Sequence, residues 1–241
     1  MKYFSILFSV FLFGQNAPLA IKINSIVAND SLSNRRIYSI NYQVENNTNQ
    51  ELQFFLNPTS LIAQAASSLT FFTVYKMYRN GAFDAMDGPF YEKMYPEQDE
   101  IKSMQDSQSP ESKKFIAEIV DKISRTKKEY LENYKANGGT STDEAWICKN
   151  QSLLKTVISL KPREVKNFTI ATSWWRNRYF KIEDNEFYLN ENDKFEIQFA
   201  LILNKSDRGD ALSEKEFSKI KNNPNFIEGT FLSNLIEISF N

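Results

Sequence analysis

Apolar and polar residues alternate over many short stretches of this chain, and that period of two is the strongest constraint on its fold. Over residues 36–44 the apolar side chains fall on one face of an extended strand: Tyr38, Ile40, Tyr42 and Val44. The most regular alternation lies near the C-terminus, at Phe195, Ile197, Phe199, Leu201 and Leu203. Several such strands, separated by polar turns, predict a mostly β fold built as a sandwich.

Turn residues predict how these strands connect. The Asn-rich stretch 46–49 favours an antiparallel hairpin between the strands on either side of it, because asparagine tolerates left-handed backbone. Residues 161–164, which include Pro162, predict a second hairpin. Asn80-Gly81 predicts a third, since this pair suits the two positive φ angles of a type I′ turn.

Residues 93–149 interrupt the alternation and have a different character. Apolar residues recur every three or four positions, which predicts one helix with a single apolar stripe: Phe115, Ile116, Ile119, Val120, Ile123, Tyr130 and Tyr134. Pro110 suits the first helical turn, and Gly138-Gly139 predicts the end of the helix. We interpret this block as a helical insertion into a sandwich formed by residues 19–92 and 150–241.

A shorter charged helix is predicted over residues 213–222. Ser213 suits the N-cap position, and Glu216 stands three residues later, where a capping box places its carboxylate.

The N-terminal residues have the order of a secretory signal peptide. One positive charge at Lys2 precedes an apolar run over residues 4–13, and Gly14 then breaks the run. The run is too short to span a bilayer core of roughly 30 Å as a helix. We predict a signal peptide over residues 1–14, with Ala20 as the alternative end, and an exported protein that is periplasmic or extracellular. The other interpretation is a buried first element of a cytosolic protein. We expect no transmembrane segment in the mature chain.

The amino-acid composition excludes several kinds of binding, catalytic and metal site. Lysine plus arginine number 29 and acidic residues 30, so no general attraction to nucleic acid is expected. The absence of histidine excludes Ser-His-Asp and Cys-His catalysis and imidazole zinc sites, and a single cysteine, Cys148, cannot build a thiolate site. The acidic stretches 184–186 and 190–193 are candidate calcium loops, which we interpret as solvated turns. We expect no cofactor and no metal.

Two stretches carry a characteristic order of strand and turn residues: residues 38–48 followed by Leu52-Gln53-Phe54-Phe55, and Leu160-Lys161-Pro162-Arg163-Glu164 followed by Phe168-Thr169-Ile170. The first looks like the opening hairpin of immunoglobulin-like modules of bacterial secreted proteins, and the second is similar to a later hairpin of those modules. The whole chain resembles uncharacterised secreted proteins of Bacteroidetes type. The resemblance implies an Ig-like antiparallel β-sandwich, and it carries no catalytic residues to transfer.

The densest aromatic and basic cluster is the candidate ligand-binding site: Trp174, Trp175, Arg176 and Arg178. Adjacent tryptophans in an extended segment point to opposite sides, so both cannot lie in one core. One is expected to pack inward and the other to form a surface platform for a sugar or a partner, with the arginines as forked donors. The alternative is a core tryptophan beside an edge aromatic covered by an arginine stem.

Two functions fit these observations. The first is a non-catalytic, exported binding or structural module of the bacterial cell envelope, whose partner is an envelope protein or a glycan. The second is a carbohydrate-active protein, which binds glycans or hydrolyses them with a pair of carboxylates.

Overall fold

Strands predominate in the computed structural model, which describes residues 17–32, 35–64, 72–84, 90, 110–175 and 192–240. The described strands are β1 Leu19–Leu32, β2 Arg35–Asn46, β3 Leu52–Phe55, β4 Asn57–Ala63, β5 Phe72–Arg79, β6 Ala82–Asp84, β7 Val157–Leu160, β8 Val165–Trp175, β9 Phe195–Leu203 and β10 Gly229–Ile238. The described α-helices are α1 Pro110–Ala136, α2 Glu144–Lys155 and α3 Glu214–Lys221. The prediction of a mostly β chain with helices is confirmed.

The strands form two larger sheets and one short pair. The first sheet has the order β1-β2-β8 and is antiparallel throughout. The second sheet has the order β10-β9-β5-β4, with β6 paired to β5. It is antiparallel except for β4 and β5, which run parallel. Strands β3 and β7 form an antiparallel pair of their own, which we call the corner pair.

Residues from both larger sheets meet in one hydrophobic core. The ring of Tyr42, on β2, lies edge-on to the ring of Phe199, on β9, with the centroids 5.4 Å apart. The strand residues for which the alternation predicts an inward phase are all buried in this core: Tyr38, Ile40, Tyr42, Phe195, Ile197, Phe199 and Leu201. The prediction that these residues share a core is confirmed.

Two of the three predicted hairpins do not form. Strand β2 pairs with β8, and β3 pairs with β7, so the strands on either side of residues 46–49 are not partners, and neither are those on either side of residues 161–164. The β2–β8 pair instead bends as a unit into the corner pair. The third predicted hairpin is confirmed, because β5 pairs with β6 around Asn80 and Gly81, whose φ angles are 52° and 82°.

The side chain of Asn46 explains why the first of these turns is a corner. Asn46 is fully buried, and its amide nitrogen donates to three carbonyl oxygens, at 2.7, 3.1 and 2.9 Å, those of Gln50, Leu160 and Lys161. Its Oδ1 accepts hydrogen bonds from the backbone nitrogen and the hydroxyl of Thr48. One buried, satisfied amide thus joins the β2–β3 bend to the β7–β8 bend.

The helical block is longer than the sequence suggests. Helix α1 ends where Gly138 adopts a φ of 79° and the nitrogen of Gly139 donates to the carbonyl of Tyr134 at 2.9 Å, as predicted. Helix α2, which was not predicted, follows at once and carries helical structure beyond residue 149 to Lys155. The Oδ1 of Asp143 caps it by accepting from the nitrogens of Ala145 and Trp146.

Helices α1 and α2 pack against each other, and α2 and α3 share a smaller core. Tyr134 on α1 lies edge-on to Trp146 on α2, with the ring centroids 5.8 Å apart. The smaller core joins α2 to the corner pair and the segment around α3: Phe55, Leu153, Ala211, Leu212 and Phe226. The predicted capping box of Ser213 and Glu216 is present at the start of α3. None of the described helices is both long and apolar enough to cross a membrane.

Candidate functional site

The structure places Trp174 at the end of the core. Its ring packs against the main hydrophobic core and lies edge-on to Phe240, with the centroids 5.7 Å apart. Trp175 is the last residue of β8, and its backbone pairs with Arg35. Arg176 and Arg178 lie outside the described residues. The candidate site therefore has one member with a described side chain, and that side chain contributes to packing.

A buried arginine lies directly opposite Trp174 in the first sheet. Arg36 is 8% exposed, and its guanidinium makes two bonds of 2.6 Å to the two carboxylate oxygens of Asp30. These bonds raise the pKa of Arg36 above its ordinary value. The pair joins β1 to β2 near the end of their ladder where Leu32 pairs with Arg35. The sequence could have predicted that Arg36 faces the core, because residue 36 continues the alternation of inward-facing residues 38, 40, 42 and 44.

The outward side of the first sheet carries a row of polar side chains across all three strands. The hydroxyl of Thr169 donates to Oδ1 of Asn41 at 2.7 Å, and Nδ2 of Asn41 donates to the hydroxyl of Ser25 at 3.0 Å. In the neighbouring row, Nδ2 of Asn24 donates to Oε1 of Gln43 at 3.1 Å. The members of the first row stand opposite one another in the strand register.

Two further rows extend this surface toward the end of β8. They are formed by small or uncharged residues that stand opposite one another in the register: Val27, Ser39 and Ala171, then Asn29, Ile37 and Ser173. Successive rows lie two residues apart, or about 7 Å. We call these two rows, together with Ser25, Asn41 and Thr169, the outer polar face.

The outer polar face is uncharged and partly exposed. Its three rows carry no charged side chain, and its outer strands expose Val27, Asn29, Thr169 and Ala171 to solvent. Amide and hydroxyl groups both donate and accept hydrogen bonds, so such a face matches a neutral polar ligand or an uncharged protein surface. Sequence reasoning missed the face because one of its three strands, β8, is distant in the chain from β1 and β2.

The carboxylates at the β5–β6 turn lie beside an arginine. A guanidinium nitrogen of Arg79 is 2.8 Å from a carboxylate oxygen of Asp84, and another is 3.9 Å from Asp193. Nδ2 of Asn80 also donates to Asp193 at 2.8 Å. Asp193 belongs to the candidate calcium stretch 190–193, while residues 184–186 lie outside the described part of the chain. The described residues contain no cluster of acidic and cysteine side chains suited to a metal ion.

No known protein family, curated protein or solved structure matches the chain.

Proposed function

We propose that the protein is a non-catalytic, exported binding or structural module of the bacterial cell envelope, and that the outer polar face is its binding surface. The observation that carries the proposal is the continuous uncharged face on three strands, beginning with Ser25, Asn41 and Thr169. The face lies on the opposite side of the first sheet from the core. A ligand can therefore use these side chains without disturbing the packing that holds the fold together.

We further propose that the fold is an Ig-like sandwich. In that fold, strands A, B and E share one sheet, and C, F and G share the other. The order β1-β2-β8 matches A-B-E, and β10-β9-β5 matches G-F-C. Asn234 on β10 supports the match, because its side chain bonds the backbone nitrogen and carbonyl of Ile23 on β1, at 2.8 and 3.3 Å. Those bonds hold the edges of the two sheets together.

Export is a further part of the proposal, and contacts near the two candidate cleavage sites favour Gly14 over Ala20 as the end of the signal peptide. The carbonyl of Pro18 accepts a hydrogen bond from the nitrogen of Asn47 at 2.9 Å, and Leu19 is 1% exposed in the core. Cleavage after Ala20 would remove both contacts, whereas cleavage after Gly14 keeps them. Mass spectrometry of the protein recovered from the native envelope is expected to show an N-terminus at Gln15. An intact Met1 would contradict export.

A charge placed in the outer polar face tests the binding surface. Thr169→Arg replaces a hydroxyl in the first row with a long cation, and Thr230→Arg makes the same change at an exposed position of β10 in the second sheet. We expect Thr169→Arg to abolish capture of the partner from the native envelope, while Thr230→Arg leaves it unchanged. Thermal unfolding of both variants controls for folding. Equal capture by both variants would remove the outer polar face from the proposal.

Carbohydrate binding is the second candidate function. The specific observation in its favour is that the outer polar face offers only neutral groups, and sugar hydroxyls exchange hydrogen bonds with amides and hydroxyls of this kind. We propose glycan binding in preference to hydrolysis, because no carboxylate stands in the three rows. A glycan array probed with the native chain, Thr169→Arg and Trp175→Ala separates the candidates. If the native chain binds no glycan on the array, a protein partner is the remaining candidate.

A further inference from the structure

Two Asn-Gly pairs occur in the chain, and the structure restrains them differently. In any Asn-Gly pair, the glycine nitrogen can attack the neighbouring asparagine side chain, because glycine has no side chain to hinder the approach. The pairs are Asn80-Gly81, between β5 and β6, and Asn137-Gly138, just after α1. Both asparagines are exposed. Their hydrogen bonds therefore decide which side chain is free to reach the attacking nitrogen.

The amide of Asn80 is held at both ends by another segment of the chain. Nδ2 donates to Asp193 at 2.8 Å, and Oδ1 accepts from the backbone nitrogen of Lys194 at 2.9 Å. The backbone nitrogen of Asn80 also donates to the carbonyl of Lys194 at 2.8 Å. Rotation of this side chain toward Gly81 requires both side-chain bonds to break, together with the contact between two distant segments.

Among the described residues, the amide of Asn137 bonds only its own helix end. Nδ2 donates to the carbonyl of Asn133 at 2.9 Å, and the nitrogen of Gly138 donates to the carbonyl of Lys135 at 3.0 Å. Both bonds belong to the final turn of α1. Terminal turns of helices open readily, and such opening frees the side chain of Asn137 and the nitrogen of Gly138 together.

We propose that Asn137 is a site of spontaneous deamidation and isomerisation, and that the fold protects Asn80 from the same reaction. The nitrogen of Gly138 loses its proton to solvent base and attacks Cγ of Asn137. The new N–Cγ bond closes a succinimide, and the bond from Cγ to Nδ2 breaks, so that Nδ2 leaves as ammonia. Water then opens the ring to aspartate or isoaspartate. No oxidant, metal or enzyme takes part.

The product would loosen the junction of α1 and α2. Gly139 lies directly against the ring of Tyr134, which leaves no room for a Cβ on this residue. The same ring lies edge-on to Trp146, and its hydroxyl accepts from the nitrogen of Ser141 at 3.2 Å. An isoaspartate adds a backbone atom beside this contact. The new carboxylate also stands at the negative end of the α1 dipole, which is unfavourable.

Peptide mapping of the aged protein tests the proposal. The full chain is incubated in mildly alkaline buffer, and the conversion of each Asn-Gly pair is followed by mass spectrometry. We expect Asn137 to convert several-fold faster than Asn80, and Asn137→Gln to abolish conversion at that position. In chain unfolded by urea, the two rates are expected to approach each other. Equal rates in the folded protein, faster conversion of Asn80, or no conversion at Asn137 would each overturn the proposal, as would a difference that persists in urea.

A second measurement tests the structural consequence. Backbone amides in the final turn of α1, followed by hydrogen exchange, are expected to exchange several-fold faster in aged protein than in fresh protein. Asn137→Gln protein that has been aged in the same way is the matched control, and its exchange is expected to stay unchanged. Equal exchange in aged and fresh protein would contradict the loosening of the α1–α2 junction.

Discussion

The two faces of the first sheet are built from alternate residues of the same strands, but one face is buried in the core and the other faces outward. On β2, Tyr38, Ile40 and Tyr42 point into the core and are at most 1% exposed. Ser39 and Asn41 stand between them on the outer polar face. One face therefore determines stability, and the other is free to determine binding. We therefore expect substitutions one residue apart on β2 to have unrelated effects on stability and binding.

The largest effect is expected from truncation in the core. Phe199→Ala removes a fully buried ring that packs edge-on against Tyr42, and it should lower the free energy of unfolding by about 3–5 kcal/mol. Urea denaturation measures the loss. Leu232→Ala, at a leucine that is 49% exposed, is the matched control and should change stability by about 0.5 kcal/mol or less. Similar losses for both variants would mean that β9 does not direct Phe199 into the core.

A smaller effect is expected where the first sheet bends into the corner pair. Asn46→Ala leaves the carbonyls of Leu160 and Lys161 without the donor that Asn46 provides, and should cost about 1–3 kcal/mol. The exposed Asn167→Ala provides the comparison and should cost much less. Denaturation midpoints measure both. If Asn46→Ala is as stable as Asn167→Ala, the buried amide of Asn46 does not stabilise the bend into the corner pair.

The sequence predicted what depends on local chemistry and missed what depends on distant partners. Asn80-Gly81 forms its hairpin because its two residues supply the positive φ angles that the turn needs. The stretch beginning at Asn46 looks equally turn-like, yet the side chain of Asn46 bonds Leu160 and Lys161, more than a hundred residues away. Alternation fixes which side of a strand faces inward, but it does not identify the neighbouring strand.

The same reasoning explains how much of the candidate site could be predicted. Residues Trp174 and Arg36 both occupy inward positions, which the period of two indicates. The partner of Arg36, Asp30, depends on the β1–β2 register, which includes shifts that the sequence does not reveal. The outer polar face depends on the pairing of β8 with β2, and the sequence suggested a different partner for each. A surface spread over three strands is therefore visible only after the register is known.

The inward face also predicts how stability depends on pH. Burial raises the pKa of Tyr42 above its ordinary value of about 10, because its hydroxyl is desolvated. The neutral form is favoured in the folded state, so this stabilisation is complete below about pH 10 and is lost as the pH rises above it. Tyr42→Phe should flatten the alkaline fall in the free energy of unfolding. It should also cost about 1 kcal/mol at neutral pH, since the hydroxyl bonds the carbonyl of Pro58. If the free energy of unfolding falls at alkaline pH as steeply in Tyr42→Phe as in the native chain, groups other than Tyr42 cause the fall.

The smallest effect on stability is expected on the outer polar face. Thr169→Val keeps the branched shape that suits a strand and removes the hydroxyl that donates to Asn41. The free energy of unfolding should change by about 0.5 kcal/mol or less, as expected for an exposed position. Thermal and urea unfolding measure it. A loss as large as that of Asn46→Ala would show that the outer row supports the fold and is not free to serve binding.

Site-specific photo-crosslinking in the native envelope tests the binding surface most directly. A photoreactive amino acid is placed in turn at Ala171, in the outer polar face, and at Thr230, on the second sheet, and both positions are exposed. Irradiation before extraction captures whatever lies against each position. The account predicts a discrete adduct from position 171 and none from position 230. Adducts from position 230 alone, or from both positions equally, would contradict the claim that the outer polar face is the binding surface.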